Sequence, residues 1–245
     1  MAWKKDKGII LGAIRHNDRS CVVHMFTELD GYVPFIFYSP ARATGARRNA
    51  LLQPLTVIGM ETSVSSDGNL SQLREPSNIL PFKEITLNPL KSCIALFTGE
   101  FLTYALRNED TNIPLFSFLH DTVAQLDSAA DVSNAHLYIM LKVAAYLGIA
   151  PNTDNFLPGS RLDMENGTFT TFEPDHQNYL DPDESHKLKQ LLESGSLAEA
   201  AAIPMTGRIR FSLLNSLNTY FRLHRPEFPQ LKSLEVLQAV FFQED

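Results

Sequence analysis

Cysteine and long apolar runs are scarce in this chain of 245 residues, and each absence excludes some classes of protein. The two cysteines, Cys21 and Cys93, form no CxxC pair, which argues against a disulfide framework and a cysteine zinc site. No apolar segment approaches the roughly 18 residues that span a bilayer. The basic residues 4–7 and apolar residues 8–14 look like a secretory signal, but Arg15 ends the stretch and no cleavage site follows. We therefore expect a cytoplasmic protein without a membrane segment.

Signatures of catalysis are also absent. The sequence contains no GxGxxG, GxxxxGK(S/T), GxSxG or HExxH motif. One polar cluster suggests a metal site and comprises Asp175, His176, Asp183, Glu184 and His186. None of its pairs has i, i+4 helical spacing, so we interpret it as a loop leading into a capped helix. The sequence predicts a protein that is not an enzyme and has no cofactor or metal; a metal-dependent hydrolase using His176 and His186 is the weaker alternative.

The first third of the chain is predicted to form strands. The expected strands cover residues 8–15, 21–26, 32–38, 55–61 and about 70–73. Asp30-Gly31 is a strong hairpin signal, and Pro34 favours an edge or bulge position in the strand that follows. Five short strands without a helical period predict a small closed barrel.

From residue 86 the apolar spacing becomes helical. Asn88-Pro89 supplies a capping residue followed by proline at the first helical position. Helices are predicted from there to about residue 104 and over about 113–126, 134–147, 183–193, 196–202, 205–223 and 231–242. Asn166-Gly167 predicts a small hairpin insertion. The predicted fold class is α+β with two domains, a barrel over residues 1–80 and a helical domain over residues 81–245.

Charge is distributed unevenly along this acidic chain, whose net charge is −7. Residues 1–60 carry eight Lys or Arg against four Asp or Glu, and residues 204–232 carry five against one. Much of the acid lies between them, over residues 163–184. Because salt screens charges beyond about 8–10 Å, local charge governs binding, and the two basic segments together predict one face for a polyanion. Ordinary solvated surface is the alternative.

The loop between the third and fourth strands contains Arg42, Gly45, Arg47 and Arg48. Arginine on such a loop suits phosphate, because its planar guanidinium donates two parallel hydrogen bonds. Single-strand binders on small barrels add aromatic platforms. The barrel aromatics are Trp3, Tyr32, Phe35, Phe37 and Tyr38. Strand alternation predicts that at least half of them are core, with Phe35 and Phe37 on one face.

The helix predicted over residues 205–223 combines apolar and basic residues. One side of it is expected to carry Ile209, Leu213, Leu217, Tyr220 and Leu223. The opposite arc carries Arg208, Arg210, Arg222 and Arg225, with Phe211, Leu214 and Phe221 between them. A phosphate-binding face and a solvated face fit this pattern equally well.

Several short motifs occur in an order that points to one family. They are GIILGAIR at residues 8–15, GARR at 45–48, LLQPL at 51–55, PLFSFL at 114–119, LYIMLK at 137–142, LGIAP at 147–151 and LKSL at 231–234. In this order and spacing the sequence resembles the RecO family of bacterial DNA repair proteins. The resemblance extends from residue 8 to the C-terminus.

The resemblance implies an OB-fold barrel followed by an all-helical domain, with no enzymatic turnover. It implies binding of single- and double-stranded DNA, strand annealing, and contact with the C-terminal tail of single-strand binding protein. With RecR, such proteins help load the RecA recombinase. Many relatives carry a four-cysteine zinc site, but residues 149–183 contain no cysteine here, so we expect Phe156, Phe169 and Phe172 to supply packing instead.

The candidate site residues are all cations. For DNA we expect Lys4, Lys5, Lys7, Arg15, Arg42, Arg47, Arg48, Arg208, Arg210, Arg222 and Arg225. For the acidic tail of single-strand binding protein, which needs an apolar pocket with a cationic rim, we expect Arg107 and Lys142. The rival hypothesis, favoured by the acidic middle segment, is a protein-interaction adaptor whose barrel no longer binds nucleic acid.

Overall fold

The computed structural model of the chain describes residues 3–17, 20–38, 51–63, 65 and 70–241. The chain divides into two compact units, Met1–Ser128 and Ala129–Asp245. The fold class is α+β, as the sequence predicts. The last strand of the barrel ends at Asn78, and the division into a barrel domain over residues 1–80 and a helical domain over residues 81–245 stays a prediction.

The first unit opens with a barrel whose strands match those predicted. They are β1 (Lys4–Arg15), β2 (Ser20–Thr27), β3 (Gly31–Tyr38), β4 (Val57–Ser63) and β5 (Ser71–Asn78). The barrel closes in the order β1-β2-β3-β5-β4, with β1 also paired to β4. Strands β3 and β5 run parallel, and the other neighbours run antiparallel. This arrangement is an OB-type barrel.

The predicted turn between β2 and β3 depends on glycine. Gly31 has a φ of 67°, a left-handed conformation that glycine adopts without strain. A Cβ atom at this position would lie 2.5 Å from the backbone oxygen of Glu109. The neighbouring Tyr32 N–H donates to that same oxygen over 3.0 Å. The turn predicted near residue 68 lies outside the described residues.

Two helices complete this unit, α1 (Pro89–Ala105) and α2 (Ile113–Ser128). Asn88 caps α1 by accepting a hydrogen bond from the Lys91 N–H over 3.1 Å, as its sequence predicts. Helix α1 packs against β1, where a Cβ on Gly99 would lie 2.4 Å from the Leu11 carbonyl oxygen. Glycine therefore permits the close approach of the helix to the strand.

The second unit is helical with one hairpin. Its elements are α3 (Ala135–Tyr146), β6 (Arg161–Asp163), β7 (Thr168–Thr170), α4 (Pro182–Glu193), α5 (Leu197–Ala201), α6 (Gly207–His224) and α7 (Ser233–Phe241). Helix α3 packs against α4, α5 and α6 and is buried on most sides. All the predicted helices and the Asn166-Gly167 hairpin are confirmed, because caps and turns are local in sequence.

Candidate nucleic-acid interface

The basic start of β1 is partly neutralised by carboxylates of the β2–β3 turn region. Lys4 Nζ lies 2.6 Å from Asp30 Oδ1, and Lys7 Nζ lies 3.4 Å from Glu28 Oε2. Lys5 is exposed and pairs across the strands with Glu61. Because neighbouring opposite charges cancel at a distance, this part of the barrel attracts a polyanion less than its lysine count suggests.

A further cation on this side of the barrel, Arg74, was missed by sequence reasoning. Its guanidinium carbon lies 4.2 Å from the centre of the Trp3 ring, and its Nη2 lies 2.6 Å from Glu61 Oε2. Glu61 faces Arg74 across β4 and β5. Trp3 is therefore partly covered by a guanidinium that is itself ion-paired, and this ring is a poor stacking platform.

The barrel aromatics divide between core and surface. Phe35 and Phe37 are buried in the barrel core, as expected for two residues of one strand face. Tyr38 is 59% exposed. Tyr32 is half-buried, and its hydroxyl lies 2.7 Å from Nδ1 of His24. Of the predicted platforms, Tyr38 has the most accessible ring.

Tyr38 continues an apolar row on the outer face of the barrel. Ile14 pairs with Val22, and Val22 pairs with Ile36, so these side chains lie side by side on β1, β2 and β3. Ile14 is 63% exposed, while the other two are half-buried. In OB folds the face of strands 2 and 3 and its adjoining loops bind oligonucleotides. This row is thus the described part of the barrel best suited to contact bases.

The remaining barrel cations flank this face in sequence. Arg15 is exposed at the end of β1, one residue beyond Ile14. Arg42, Arg47 and Arg48 lie outside the described residues. Their predicted contact with phosphate stays a prediction, and so does a common surface with the basic residues of α6.

On α6 the predicted cations differ in their surroundings. Arg208 and Arg222 are exposed, and Arg225 is half-buried at the C-cap. Arg210 instead points into the protein: its Nε donates to Asn134 Oδ1 over 2.9 Å, and its Nη2 donates to the Met205 carbonyl over 3.2 Å. Arg208 and Arg222 are therefore better placed for phosphate than Arg210.

The buried face of α6 is wider than its apolar pattern predicts. Leu214 and Phe221 are fully buried rather than interleaved with the arginines at the surface, so that expectation is wrong. Leu223, expected on the buried side, is 39% exposed. Packing explains the change, because α6 contacts α3, α4 and α7 together and the periodicity of one helix does not show how many neighbours surround it.

A surface depression lies at the end of α6. It measures about 310 Å³ and is lined by Thr219, Arg222, Leu223, Pro226 and Phe228. Arg222 supplies a guanidinium and Thr219 a hydroxyl, while Leu223 and Pro226 supply apolar walls. This combination accommodates a charged group attached to an apolar or aromatic one.

Two family models match successive parts of the chain. Residues 1–82 match "Recombination protein O N terminal", and residues 87–235 match "Recombination protein O C terminal". The chain belongs to the RecO family.

Similarity to curated RecO proteins extends over nearly the whole chain. DNA repair protein RecO of Bacteroides fragilis is 37% identical over 240 residues, which cover 97% of this chain and 99% of that protein. The RecO proteins of Phocaeicola vulgatus and Flavobacterium johnsoniae are 34% and 30% identical, over 97% of this chain and 99% and 98% of their own lengths. RecO-family membership assigns the chain a role in DNA repair and recombination. Among the described residues, no helix is long and apolar enough to cross a membrane.

The hairpin segment of this RecO chain lacks the donors of a cysteine zinc site. Residues 149–183 contain no cysteine, and in the described part of the chain no three His, Cys, Asp or Glu side chains are grouped to hold a metal. His176 lies between two carboxylates, with its Nε2 3.2 Å from Asp163 Oδ1 and its Nδ1 3.6 Å from Glu165 Oε1. The ring of Phe156 packs edge-on against Phe169, with centroids 5.2 Å apart. The segment does not fit zinc and is held by these contacts.

Phe172 does not join this packing. Its side chain is 81% exposed, so the expectation that it would pack in place of zinc is wrong. Its N–H is held by the Thr170 hydroxyl over 3.1 Å. Phe172 follows β7, and strand alternation does not continue past the end of the strand.

The two cations predicted to bind the partner tail have structural partners of their own in this RecO chain. Lys142 Nζ donates to the Leu192 carbonyl at the end of α4 over 2.9 Å, and burial lowers the pKa of this lysine. Arg107 follows α1, and its guanidinium carbon lies 5.3 Å from the centre of the Tyr104 ring. The predicted contact of Arg107 and Lys142 with the tail stays a prediction.

Proposed function

We propose that this RecO-family chain is a non-enzymatic recombination mediator that binds single- and double-stranded DNA and anneals complementary strands. It would act in the cytoplasm at the nucleoid, and with RecR it would help RecA to load onto DNA coated by single-strand binding protein. The observation that carries the proposal is the match of both RecO domains along nearly the entire chain. The apolar row of Ile14, Val22, Ile36 and Tyr38 on the outer face, exposed at Ile14 and Tyr38, supports a base-contacting role for the barrel.

Phosphate contacts explain how such a protein binds without sequence preference. Each Lys or Arg that neutralises a phosphate releases condensed counterions, so affinity falls as salt rises. Annealing requires that two backbones be held close together, which reduces their mutual repulsion. Exposed Arg208 and Arg222 on α6 are suited to this work, as are the predicted arginines of the barrel loop.

The test is fluorescence anisotropy with a labelled 20-nucleotide single strand, repeated at several salt concentrations. The R208Q/R222Q variant should bind more weakly, and its slope of log affinity against log salt should fall by about 1.4, or 0.7 for each lost single-strand contact. K187Q/K189Q on α4 removes the same charge from the same unit and should keep the wild-type slope. Absence of wild-type binding at low salt would contradict the DNA-binding proposal.

The adaptor hypothesis has one specific observation in its favour. Lys4, Lys7 and Arg74 on the barrel are each paired with a carboxylate. A barrel so neutralised could serve protein contacts alone. A second experiment that distinguishes the hypotheses is capture of single-strand binding protein with and without its C-terminal tail. The mediator proposal expects capture only with the tail. Capture that is independent of the tail counts against it.

A further inference from the structure

Arg107 is the centre of a cluster beside the outer face of the barrel. It is exposed, its guanidinium carbon lies 5.3 Å from the centre of the Tyr104 ring, and its charge opposes the rise that burial gives the pKa of Tyr32 on β3. The segment that carries it is tied to the β2–β3 turn, since Tyr32 N–H donates to the Glu109 carbonyl and the Thr111 hydroxyl donates to the Leu29 carbonyl over 2.7 Å. The segment that carries the guanidinium is therefore fixed against the barrel.

The hydrogen bonds of the cluster leave donors of Arg107 available. Burial, aided by the nearby Arg107, lowers the pKa of His24. His24 Nδ1 lies 2.7 Å from the Tyr32 hydroxyl, within hydrogen-bond distance. In the described part of the chain, the pairing of these two side chains leaves the guanidinium of Arg107 unused. A guanidinium has five N–H donors, so several remain for a ligand.

Arg107 also differs from Lys4, Lys7 and Arg74 in its charge balance. Lys4, Lys7 and Arg74 are each within ion-pair distance of a carboxylate. Within the described ranges, no carboxylate lies within that distance of Arg107. The guanidinium of Arg107 is already positioned beside the Tyr104 ring, so little side-chain freedom is lost when it binds a ligand. Its parallel N–H donors suit a planar or tetrahedral oxyanion.

The position of the cluster on the barrel indicates a polymer rather than a single anion. Tyr32 and Tyr38 lie on the same face of β3, and six residues of strand separate them by roughly 20 Å. Half-buried Pro34 and Ile36 lie between them on that face, with Val22 beside Ile36. A cation at one end and an exposed aromatic ring at the other match the alternating phosphate and base of an extended strand.

We propose that Arg107 binds a backbone phosphate of a single-stranded nucleic acid whose bases cross Ile36 and stack on Tyr38. The proposal rests on the proposed function, since it locates part of the DNA-binding surface. The sequence analysis predicted that Arg107 binds the tail of single-strand binding protein. Here the nucleic acid is the ligand of Arg107 instead. Tyr104 and Tyr32 act as positioning residues for the guanidinium.

The test uses fluorescein-labelled dT20 and salt-dependent anisotropy with three single variants. R107Q should weaken binding and lower the salt slope by about 0.7, the value for one single-strand phosphate. Y38A should weaken binding about five- to hundredfold while keeping the wild-type slope, because stacking releases no counterions. Both side chains are exposed, so the variants should fold, which circular dichroism checks.

K83Q is the matched charge control. Lys83 is exposed in the same unit but precedes α1, whereas Arg107 follows it, and this helix of 17 residues is roughly 25 Å long. K83Q should keep the wild-type slope. A slope unchanged in R107Q, or lowered equally in K83Q, would overturn the Arg107 site while DNA binding itself stood. If R107Q loses a tail peptide of single-strand binding protein but keeps dT20, the tail site is correct instead. No wild-type binding would overturn both proposals.

Discussion

Replacing Arg210 with glutamine is expected to destabilise the second unit without removing a phosphate contact. Arg210 joins three elements through Asn134, whose side chain is fully buried at the start of α3. Asn134 Oδ1 accepts from Arg210, while its Nδ2 donates to the carbonyls of Ala200 and Ile203, both over 2.9 Å. Every hydrogen-bonding position of this amide nitrogen is therefore used, and the oxygen depends on Arg210.

The size of the effect follows from these contacts. Hydrogen bonds to a charged group contribute about 1.5–3 kcal/mol, and a buried acceptor left without a donor costs about 1–3 kcal/mol. These two figures overlap, because the loss of the bond and the unsatisfied oxygen describe one event. We expect R210Q to lower the free energy of unfolding by about 1.5–3 kcal/mol, a large share of the roughly 5–15 kcal/mol typical of a domain.

R208Q provides the comparison for this variant. Arg208 lies two residues earlier on α6, is exposed, and loses the same charge. The free energy of unfolding of R208Q should stay within about 0.5 kcal/mol of the wild-type value. Urea unfolding followed by circular dichroism measures both variants, and anisotropy with dT20 at temperatures where both are folded compares their salt slopes.

The reasoning makes opposite predictions for the two arginines. R210Q should have a lower free energy of unfolding than wild type but the same slope of log affinity against log salt. R208Q should have the wild-type free energy of unfolding but a smaller slope. Equal stabilities would refute the role assigned to the Asn134 network. A lower salt slope for R210Q would return Arg210 to the phosphate-binding set.

Two further predictions concern buried titratable groups. Burial, together with the charge of Arg210, lowers the pKa of His136 from 6.5 to about 3; its contribution is therefore complete above pH 6.5 and is lost as pH falls. The free energy of unfolding should drop by about 1.4 kcal/mol per pH unit through this range, and urea titrations should find that slope missing in H136Q. Asp127 accepts the N–H groups of Lys83, Glu84 and Ile85, so D127A should cost about 3 kcal/mol in urea unfolding. D121A, on the exposed side of α2, should be neutral; equal losses would refute the role of the Asp127 carboxylate in holding residues 83–85.

Most of the helices, strands and turns could be predicted from local sequence. Asn88 before Pro89 and Asp181 before Pro182 cap their helices through backbone N–H groups three residues ahead. Gly31 and Gly148 occupy left-handed conformations at a turn and a helix end, with φ of 67° and 72°. Such signals depend on residues within four positions of one another, which is why the elements were predictable.

The candidate site was less predictable, because charge pairing joins distant positions. Lys4 meets Asp30 across 26 residues, and Arg210 meets Asn134 across 76. A list of cations therefore does not tell which of them remain available to a ligand. Arg107 illustrates the converse, since its charge acts on Tyr32 of β3 only because the end of α1 meets the barrel.

Amino-acid order alone was enough for the strands, the caps, the hairpin and the RecO family, since these depend on neighbours along the chain and on the order of short motifs. Folding in three dimensions set the exposure of Phe172 and Tyr38, the burial of Leu214 and Phe221, and the internal role of Arg210. The sequence does not show whether a given apolar or basic residue faces a neighbouring element or the solvent. Their surroundings, which set both desolvation and pairing, are created by elements far apart in the chain.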